Sequence, residues 1–491
     1  MKNIVRAFST HHWTEQLILL ASLSWIIRFS RLVISRQNNF ITYDFDLGIH
    51  SQSIWLLSQG KFFNTVCGLP VFGHHAEFMY YLLVPLQWLG GGPNLWNVLQ
   101  VIALGSGAVV IFKIAHHKLD SNMAALVFGL SWLLLPTTGY LAWETFHPEV
   151  MGAPFLFLGY YFAITANQEQ HGRFQRSSLA IFWLLIAVMW KEDLALAVIG
   201  IGIGVILMFR NQHRLGFKLV LGGAFYFLVI GVFLVPTLSG DLTAYGALYG
   251  NLGSTPFEVA KNSLMHPSQF LNRLSDNNAL SYANQVTAPL AWVSLLSPLT
   301  LIIGIPQFFI NILTTADFTW SMMYHYQVIP IIAAALAAID GAAFLRRHNK
   351  LIFQLSLVAV LCSSVWTARN WGNSPYGKKF NTISWGSYSP SVDGWKAAMK
   401  RIGPDDPVSV HPLLVPHVAN REIVYTYPNP WIASNFFNQG RYVDPHRITW
   451  IVVPEDSLGQ EAKEMLTKLV SSGEFGDVET VNGISSYHRL K

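Results

Sequence analysis

Apolar runs of about 18 residues or more recur along the first three quarters of this 491-residue chain, and they limit its fold more than any other property. At 1.5 Å of rise per helical residue, each run can cross a hydrocarbon core of roughly 30 Å. Charged residues make up 12% of the sequence and hydrophobic residues 52%, against roughly 25% charge in an average soluble domain. The chain therefore reads as a polytopic membrane protein and not as a soluble enzyme. Its net charge of +5 is spread thinly, which gives no basic patch for a nucleic acid. Two cysteines, Cys67 and Cys362, suggest no disulfide framework. The first apolar run holds Arg28 and Arg31 and lacks a small-residue cleavage site, so it reads as a membrane helix rather than a cleaved leader.

Apolar spans lie near 16–35, 94–115, 122–140, 150–166, 178–190, 194–209, 219–237, 279–297, 299–316, 327–345 and 351–368, or about eleven crossings. Alternate linkers are basic. They carry Lys2, Arg6, Lys113, Lys118, Arg173, Arg176, Arg210, Arg214, Lys218, Arg346, Arg347 and Lys350, against Glu15, Asp120 and Glu169 as acids. The positive-inside rule turns these segments to the cytoplasm. The run Glu77–Leu89, followed by Gly90-Gly91-Gly92-Pro93, keeps that parity only as a re-entrant or surface-lying helix. The run 178–209 is too long for one crossing between basic linkers, so it divides at Lys191-Glu192-Asp193 into two short arms. Beyond residue 368 no spanning run remains. Strand-like stretches at Pro407–Val410, Ile423–Tyr427 and Thr449–Val453, with a helical pattern at Glu461–Val470, predict a small α/β domain outside the membrane. The expected division is 1–368 for the transmembrane part, with an outward first loop over 37–93, and 369–491 for the extracytoplasmic part.

Nearly every unusual polar cluster falls in the linkers opposite the basic ones, which points to one site on one side of a membrane. Asp44 and Asp46 follow the first helix and precede an amphipathic stretch with His50 and Gln52. Asp46 suits a helix N-cap, a general base acting on a hydroxyl, or a metal ligand beside a phosphate. His74 and His75, His147 with Glu149, and His325 between Tyr324 and Tyr326 supply imidazoles and a carboxylate from which a zinc or manganese site could be assembled, although no metal-binding spacing imposes one. Pro148 suits the first position of a helix, with Glu149 in its first turn. Lys191, Glu192 and Asp193 interrupt an apolar run, and three such charges cost several kcal/mol unless paired or wet. Lys191 suits a lipid phosphate, while Arg28 and Arg31 share a helix face and either snorkel to headgroups or bind phosphate beside Asp46.

On these residues the sequence resembles a domain-of-unknown-function family of polytopic membrane proteins allied to the GT-C glycosyltransferase superfamily. The resemblance is carried by Phe45-Asp46-Leu47-Gly48-Ile49 with Gln52, Phe72-Gly73-x-His75, Phe146-His147-Pro148-Glu149, Lys191-Glu192-Asp193 and Tyr324-His325-Tyr326, with a weaker echo at Pro416-His417-Val418-Ala419-Asn420-Arg421. His74 departs from it, standing where an acidic residue is expected. The resemblance implies an all-α GT-C-like membrane fold and an essential acid in the first outward loop, matched here by Asp46. It also implies a polyprenyl-phosphate-linked sugar as donor, with a glycan, lipid or protein as acceptor, in the plasma membrane. A divalent metal is a candidate cofactor. The alternative is a transporter or lipid flippase working through Lys191, Glu192 and Asp193; it lacks recognisable inverted repeats. A non-catalytic scaffold would leave the buried charges without a reason.

Overall fold

The computed structural model describes residues 13–167, 175–240, 246–433 and 444–490. Lys2, Arg6, Glu169 and Arg173 of the charge pattern lie outside them. Among the described residues five helices are long and apolar enough to cross a membrane. They are α1 (Trp13–Asn38), α4 (Pro93–Leu119), α10 (Arg210–Ser239), α11 (His325–His348) and α12 (Lys350–Trp371). A sixth span comes from α5 (Asn122–Leu134) and α6 (Pro136–Glu144) taken together, which bend by 44° at Leu135, where Pro136 has no N–H to continue the ladder. Between α1 and α4 lie α2 (Ile49–Ser58) and α3 (Tyr80–Trp88). α3 has nine residues, roughly 14 Å of helix and too short to cross. The apolar helices α7 (Pro148–Ile164), α8 (Arg176–Val188) and α9 (Leu194–Met208) complete the bundle.

The helices pack through small residues, as membrane helices do where lipid offers no hydrophobic incentive to associate. α1 presents Ile18, Ser22, Trp25, Phe29 and Val33 on one buried stripe. A Cβ on Gly105 of α4 would stand 2.4 Å from Ile26 of α1. α9 and α10 meet where a Cβ on Gly202 would lie 2.8 Å from the Gly216 carbonyl. The crossings expected at 279–297 and 299–316 are absent. In their place are short helical pieces, among them Ala279–Thr287, Pro298–Leu301 and Ile305–Ile312. Pro289, Pro298, Gly304 and Pro306 divide the segment, and Ala291 and Trp292 take the left-handed conformation; a hydropathy average ignores such breaks.

After α12 the chain forms α13 (Ser391–Arg401), then β1 (Val408–Val410), β2 (Val424–Thr426), β3 (Trp450–Val453), α14 (Gln460–Ser471), β4 (Phe475–Val481) and β5 (Ile484–Arg489). The five strands run β2-β1-β3-β5-β4. β1 is parallel to β2 and to β3, whereas β5 is antiparallel to β3 and β4. This sheet is not a tethered appendage. Phe40, Ile49, Val66, Cys67 and Leu69 of the first loop share one buried core with Val392, Trp395, Val408, Val424 and Trp450. Thr65 Oγ1 accepts from the Val424 N–H at 3.0 Å and donates to the Val424 carbonyl at 2.8 Å. The loop that leaves α1 is thus fixed between the helical bundle and the sheet.

Candidate active site

The five polar clusters converge. Asp46, His75, His147, Glu149, Lys191, Glu192, Asp193, Tyr324, His325 and Tyr326 all line one cavity of about 820 Å³. Phe227, Leu248, Ile310 and Phe318 form its apolar wall, and Gln307, Asn311, Thr314 and Thr319 extend its polar one. Gln307, Asn311 and Thr314 come from the segment 299–316 expected to cross the membrane. Its polar residues face the cavity, which gives the broken backbone a protein-lined place to be.

Both loops that carry the central groups hold a non-glycine residue at positive φ. Asp46 has φ 65° and Thr145 φ 92°, the latter a rare state for a β-branched side chain. Gln100 of α4 clamps the second loop. Its amide donates to the Leu141 carbonyl at 2.7 Å and to the Thr145 carbonyl, and its Oε1 accepts the His147 N–H at 2.5 Å. Pro148 then opens α7 and places Glu149 in the first turn, as the sequence predicted. Asp46 is not a helix cap: α2 begins after Gly48 without a side-chain cap, and the Asp46 carboxylate instead lies 3.4 Å from His147 Nε2.

From Asp46 a chain of ionisable groups crosses the cavity. The His147 and His325 rings stack at 4.0 Å between centroids. His325 Nδ1 is 2.8 Å from Glu144 Oε1, and His325 Nε2 is 3.6 Å from Glu149 Oε1. Lys191 Nζ donates to Glu149 at 2.7 Å and lies 3.9 Å from Asp193. A second branch pairs Glu192 with His75 Nδ1 at 2.6 Å and with the Ala76 N–H at 3.0 Å. On the third wall His50 Nδ1 is 2.5 Å from the Tyr80 hydroxyl.

These contacts set the charge states. Burial opposes ionisation of Asp46, but the imidazoles of His147, His325 and His50 hold its carboxyl below the ordinary carboxylate range. Burial also opposes a proton on His147, and Glu144 and Asp46 outweigh it, raising that imidazole to about 10. Glu192, despite burial, is lowered to about 2 by His75 and Lys191. Burial raises Asp193 to about 6 against the pull of Lys191. It also raises Glu77, and it lowers His50 to about 3, with the charge of His147 adding to the effect.

Four predicted site residues lie elsewhere. Arg28 and Arg31 are exposed on α1, away from the cavity lining. The arginine at the cavity is Arg36, one helical turn or more further along, stacked on Trp143 at 4.3 Å and bonded to the Trp143 carbonyl. Asp44 faces the sheet and accepts from Thr426 Oγ1 at 2.5 Å. Gln52 bonds to Thr65 and to the carbonyls of Arg421 and Glu422, so it fastens the loop rather than lining the site. Sequence reasoning missed Glu144, Glu77, Arg36 and Gln100. Glu144 had a signal: it ends an apolar run and stands three residues before His147. Glu144, His147 and His325 are also the group that could hold a metal, with one ligand atom each within 4.8 Å of the others.

The family model described as a predicted membrane protein, DUF2079, matches residues 36–485. No curated protein is similar to the sequence. Among solved structures, ArnT from Cupriavidus metallidurans bound to undecaprenyl phosphate is similar with a TM-score of 0.53 at 12% identity, covering 98% of this chain and 98% of that chain. ArnT in the apo state gives 0.49 at 13% identity, covering 95% and 98%. At such identity the first likeness establishes the fold, which is the GT-C glycosyltransferase fold, and it establishes no more.

Proposed function

This chain belongs to the DUF2079 family of predicted membrane proteins, and on that premise we propose that it transfers a sugar from a polyprenyl-phosphate-linked donor to an acceptor hydroxyl outside the cytoplasm. The observation that carries the reading is the convergence of five separate polar clusters on one cavity with an apolar wall. A lipid-linked donor needs that combination: an apolar flank for the chain and cations for the phosphate. The solved relative is described as bound to undecaprenyl phosphate, which agrees with this donor class.

In a single displacement Asp46 takes the proton of the acceptor hydroxyl, whose oxygen attacks the anomeric carbon. The bond from that carbon to the phosphate oxygen breaks, and the polyprenyl phosphate departs with the bonding pair. Asp46 suits the task by position, because its carboxylate is partly open to the cavity where the acceptor would lie. Lys191 and Arg36 are the two permanently charged cations of the lining, and they meet the charge that develops on the leaving phosphate. Asp44, turned toward Thr426, is left with a structural task. The basic linkers support a cytoplasmic orientation for the opposite end, which puts the cavity on the extracytoplasmic side.

The test is mass spectrometry of lipid-linked sugars and envelope glycans in cells lacking the protein, complemented with wild type or Asp46→Asn. A donor lipid accumulates and one glycan loses a sugar, and only wild type reverses this. The variant loses about 10²–10⁴-fold in transfer, the usual contribution of a general base. Unchanged glycans in the deletion strain, with normal expression on complementation, would refute the transferase and move weight to transport.

A further inference from the structure

The linker that follows α10 holds two short helices, Pro256–Met265 and Pro267–Asp276. On and just after them five large apolar side chains, Phe257, Leu264, Met265, Leu271 and Leu280, are between 60% and 86% exposed. A single exposed leucine is ordinary on a protein surface, but so many in one short stretch mark a face made for an apolar neighbour.

Polar contacts fix where this face lies. Asn277 Nδ2 donates to the carbonyls of Ile312 at 2.5 Å and Thr314 at 2.8 Å, and Arg273 donates to that of Leu313 at 2.8 Å. The Thr315 N–H donates to the Leu248 carbonyl at 2.6 Å. On the inner side Val259, Phe270 and Leu274 pack with Leu252, Tyr282 and Ile312. Asn311 in turn donates to the Tyr326 carbonyl at 2.8 Å, which ties the helix pair to the first turn of α11. That helix spans 24 residues, about 36 Å, against a hydrocarbon core of roughly 30 Å. Its first turn, and the helix pair beside it, therefore lie at the level of the lipid headgroups.

We propose that the helix pair binds the bilayer itself, lying in the headgroup layer at the cavity end of the bundle with Phe257 and Leu264 inserted among the acyl chains. Helical phase supports this occupant. Phe257, Ala260 and Leu264, at i, i+3 and i+7, are all exposed on one face, and Val259, which packs on protein, points the opposite way. Lys261 shares the exposed face, where its stem stays with the apolar residues and its ammonium reaches headgroup phosphates. The face also continues a surface already assigned to lipid. The apolar window of α10 is only 11% buried inside the protein, and it exposes Leu228 and Phe233. Phe227 of α10 shares the cavity wall with Leu248 and Tyr249 from the foot of the helix pair. Beyond Leu280 the chain goes on to expose Trp292, Leu295 and Leu296. One bilayer covers all three surfaces together. Interfacial helices have low net hydrophobicity because their other face meets water, which is why no apolar run marks this stretch. Since Leu248 and Tyr249 belong to the same linker, the lipid contact also holds that wall of the cavity in place.

The inference is read without any activity, so its failure leaves the transferase reading untouched. Phe257→Cys, Leu264→Cys and the control Glu461→Cys, exposed on α14, are made in a Cys362→Ser background, the remaining Cys67 being buried. Each carries a nitroxide and is placed in nanodiscs of phosphatidylethanolamine and phosphatidylglycerol. Power saturation then compares access of oxygen, which concentrates in lipid, with that of a water-soluble nickel chelate. At 257 and 264 oxygen is expected to win severalfold, at a depth of about 5–10 Å into the headgroup and acyl boundary, and at 461 the nickel chelate wins. Preference for the nickel chelate at either 257 or 264 would overturn the proposal, since the face would then meet water. Low access to both reagents would also overturn it, by showing that protein, such as a second copy of the chain, covers the face.

Discussion

Replacing Lys191 separates what the structure shows this residue doing, neutralising a buried carboxylate, from what we propose for it, meeting a phosphate. Its ammonium donates to Glu149 at 2.7 Å, and both side chains are nearly inaccessible. Lys191→Met leaves Glu149 without its main partner, and breaking a buried pair from one side costs about 3–5 kcal/mol. His325 Nε2, 3.6 Å away, offsets part of that, so the lower end is expected. The double variant Lys191→Met/Glu149→Gln removes both charges, and such replacements are neutral or stabilising by about 1–4 kcal/mol. The double variant should therefore be more stable than the single one in a denaturation series in mixed micelles. Its binding of polyprenyl phosphate should not recover. A charge-assisted hydrogen bond contributes about 1.5–3 kcal/mol, so affinity falls about 10- to 150-fold, as read by native mass spectrometry across a lipid titration. A double variant that binds the lipid as tightly as wild type would refute Lys191 as the phosphate residue. A double variant less stable than the single one would refute the pairing argument itself.

The remaining predictions concern titration and packing. Glu192, lowered to about 2 from an ordinary 4.5, contributes stability that is present above about pH 4.5 and lost as pH falls toward 2, on the order of 3 kcal/mol. Melting temperatures from pH 7 to 3 should fall less steeply in Glu192→Gln than in wild type, and parallel curves would count against the His75 tie. At the α9–α10 contact, Gly202→Ala should destabilise by about 1–3 kcal/mol, because its new methyl meets the Gly216 carbonyl and the Val220 backbone. Gly222→Ala on α10, with nothing within 4 Å, should be neutral or slightly stabilising through helix propensity. Equal melting temperatures for the two alanine variants would show that the close approach is not what holds these helices.

What the sequence disclosed follows from how far each signal reaches along the chain. Long apolar helices announce themselves within one window, and α1, α4, α10, α11 and α12 lie where the runs predicted. The turn at Lys191-Glu192-Asp193 was legible because charge inside an apolar run is costly wherever the chain folds. The segment 279–316 misled because its mean hydropathy is high while its prolines forbid a continuous helix. Strands β4 and β5 escaped although Asn482-Gly483, both at positive φ, make the strongest two-residue hairpin signal. Glu144 was missed because its local signal, an acid at the end of an apolar run, does not say what it faces. Its partner His325 is 181 positions away, and only the bend at Leu135 and the Thr145 backbone aim it at the cavity. Arg28 and Arg31 drew attention because they interrupt the first apolar run, whereas Arg36 falls just past its end; helical phase decides which of them faces the cavity.

The sheet's place in the fold bears on how the cavity works. Asp46 needs φ 65° to present its carboxylate, a strained state for a residue with a side chain, held only by surroundings that over-determine it. Those surroundings belong largely to the C-terminal region, around strand β2. Asp44, two residues earlier, is pinned by Thr426 on β2, and Gln52, six residues later, is pinned by the Arg421 and Glu422 carbonyls. At Gly48 a Cβ would stand 2.8 Å from Val415, in the short helix Val415–Val418 between β1 and β2, so the loop and the C-terminal region touch backbone to side chain. On the other side of the cavity Gln100, from the helical bundle, imposes the second strained residue, Thr145. The two carriers of the central contact, Asp46 and His147, are thus positioned by different parts of the chain, one by the sheet and one by the bundle. Their 3.4 Å approach exists only when the two are packed together. The terminal region is therefore a structural component of the site.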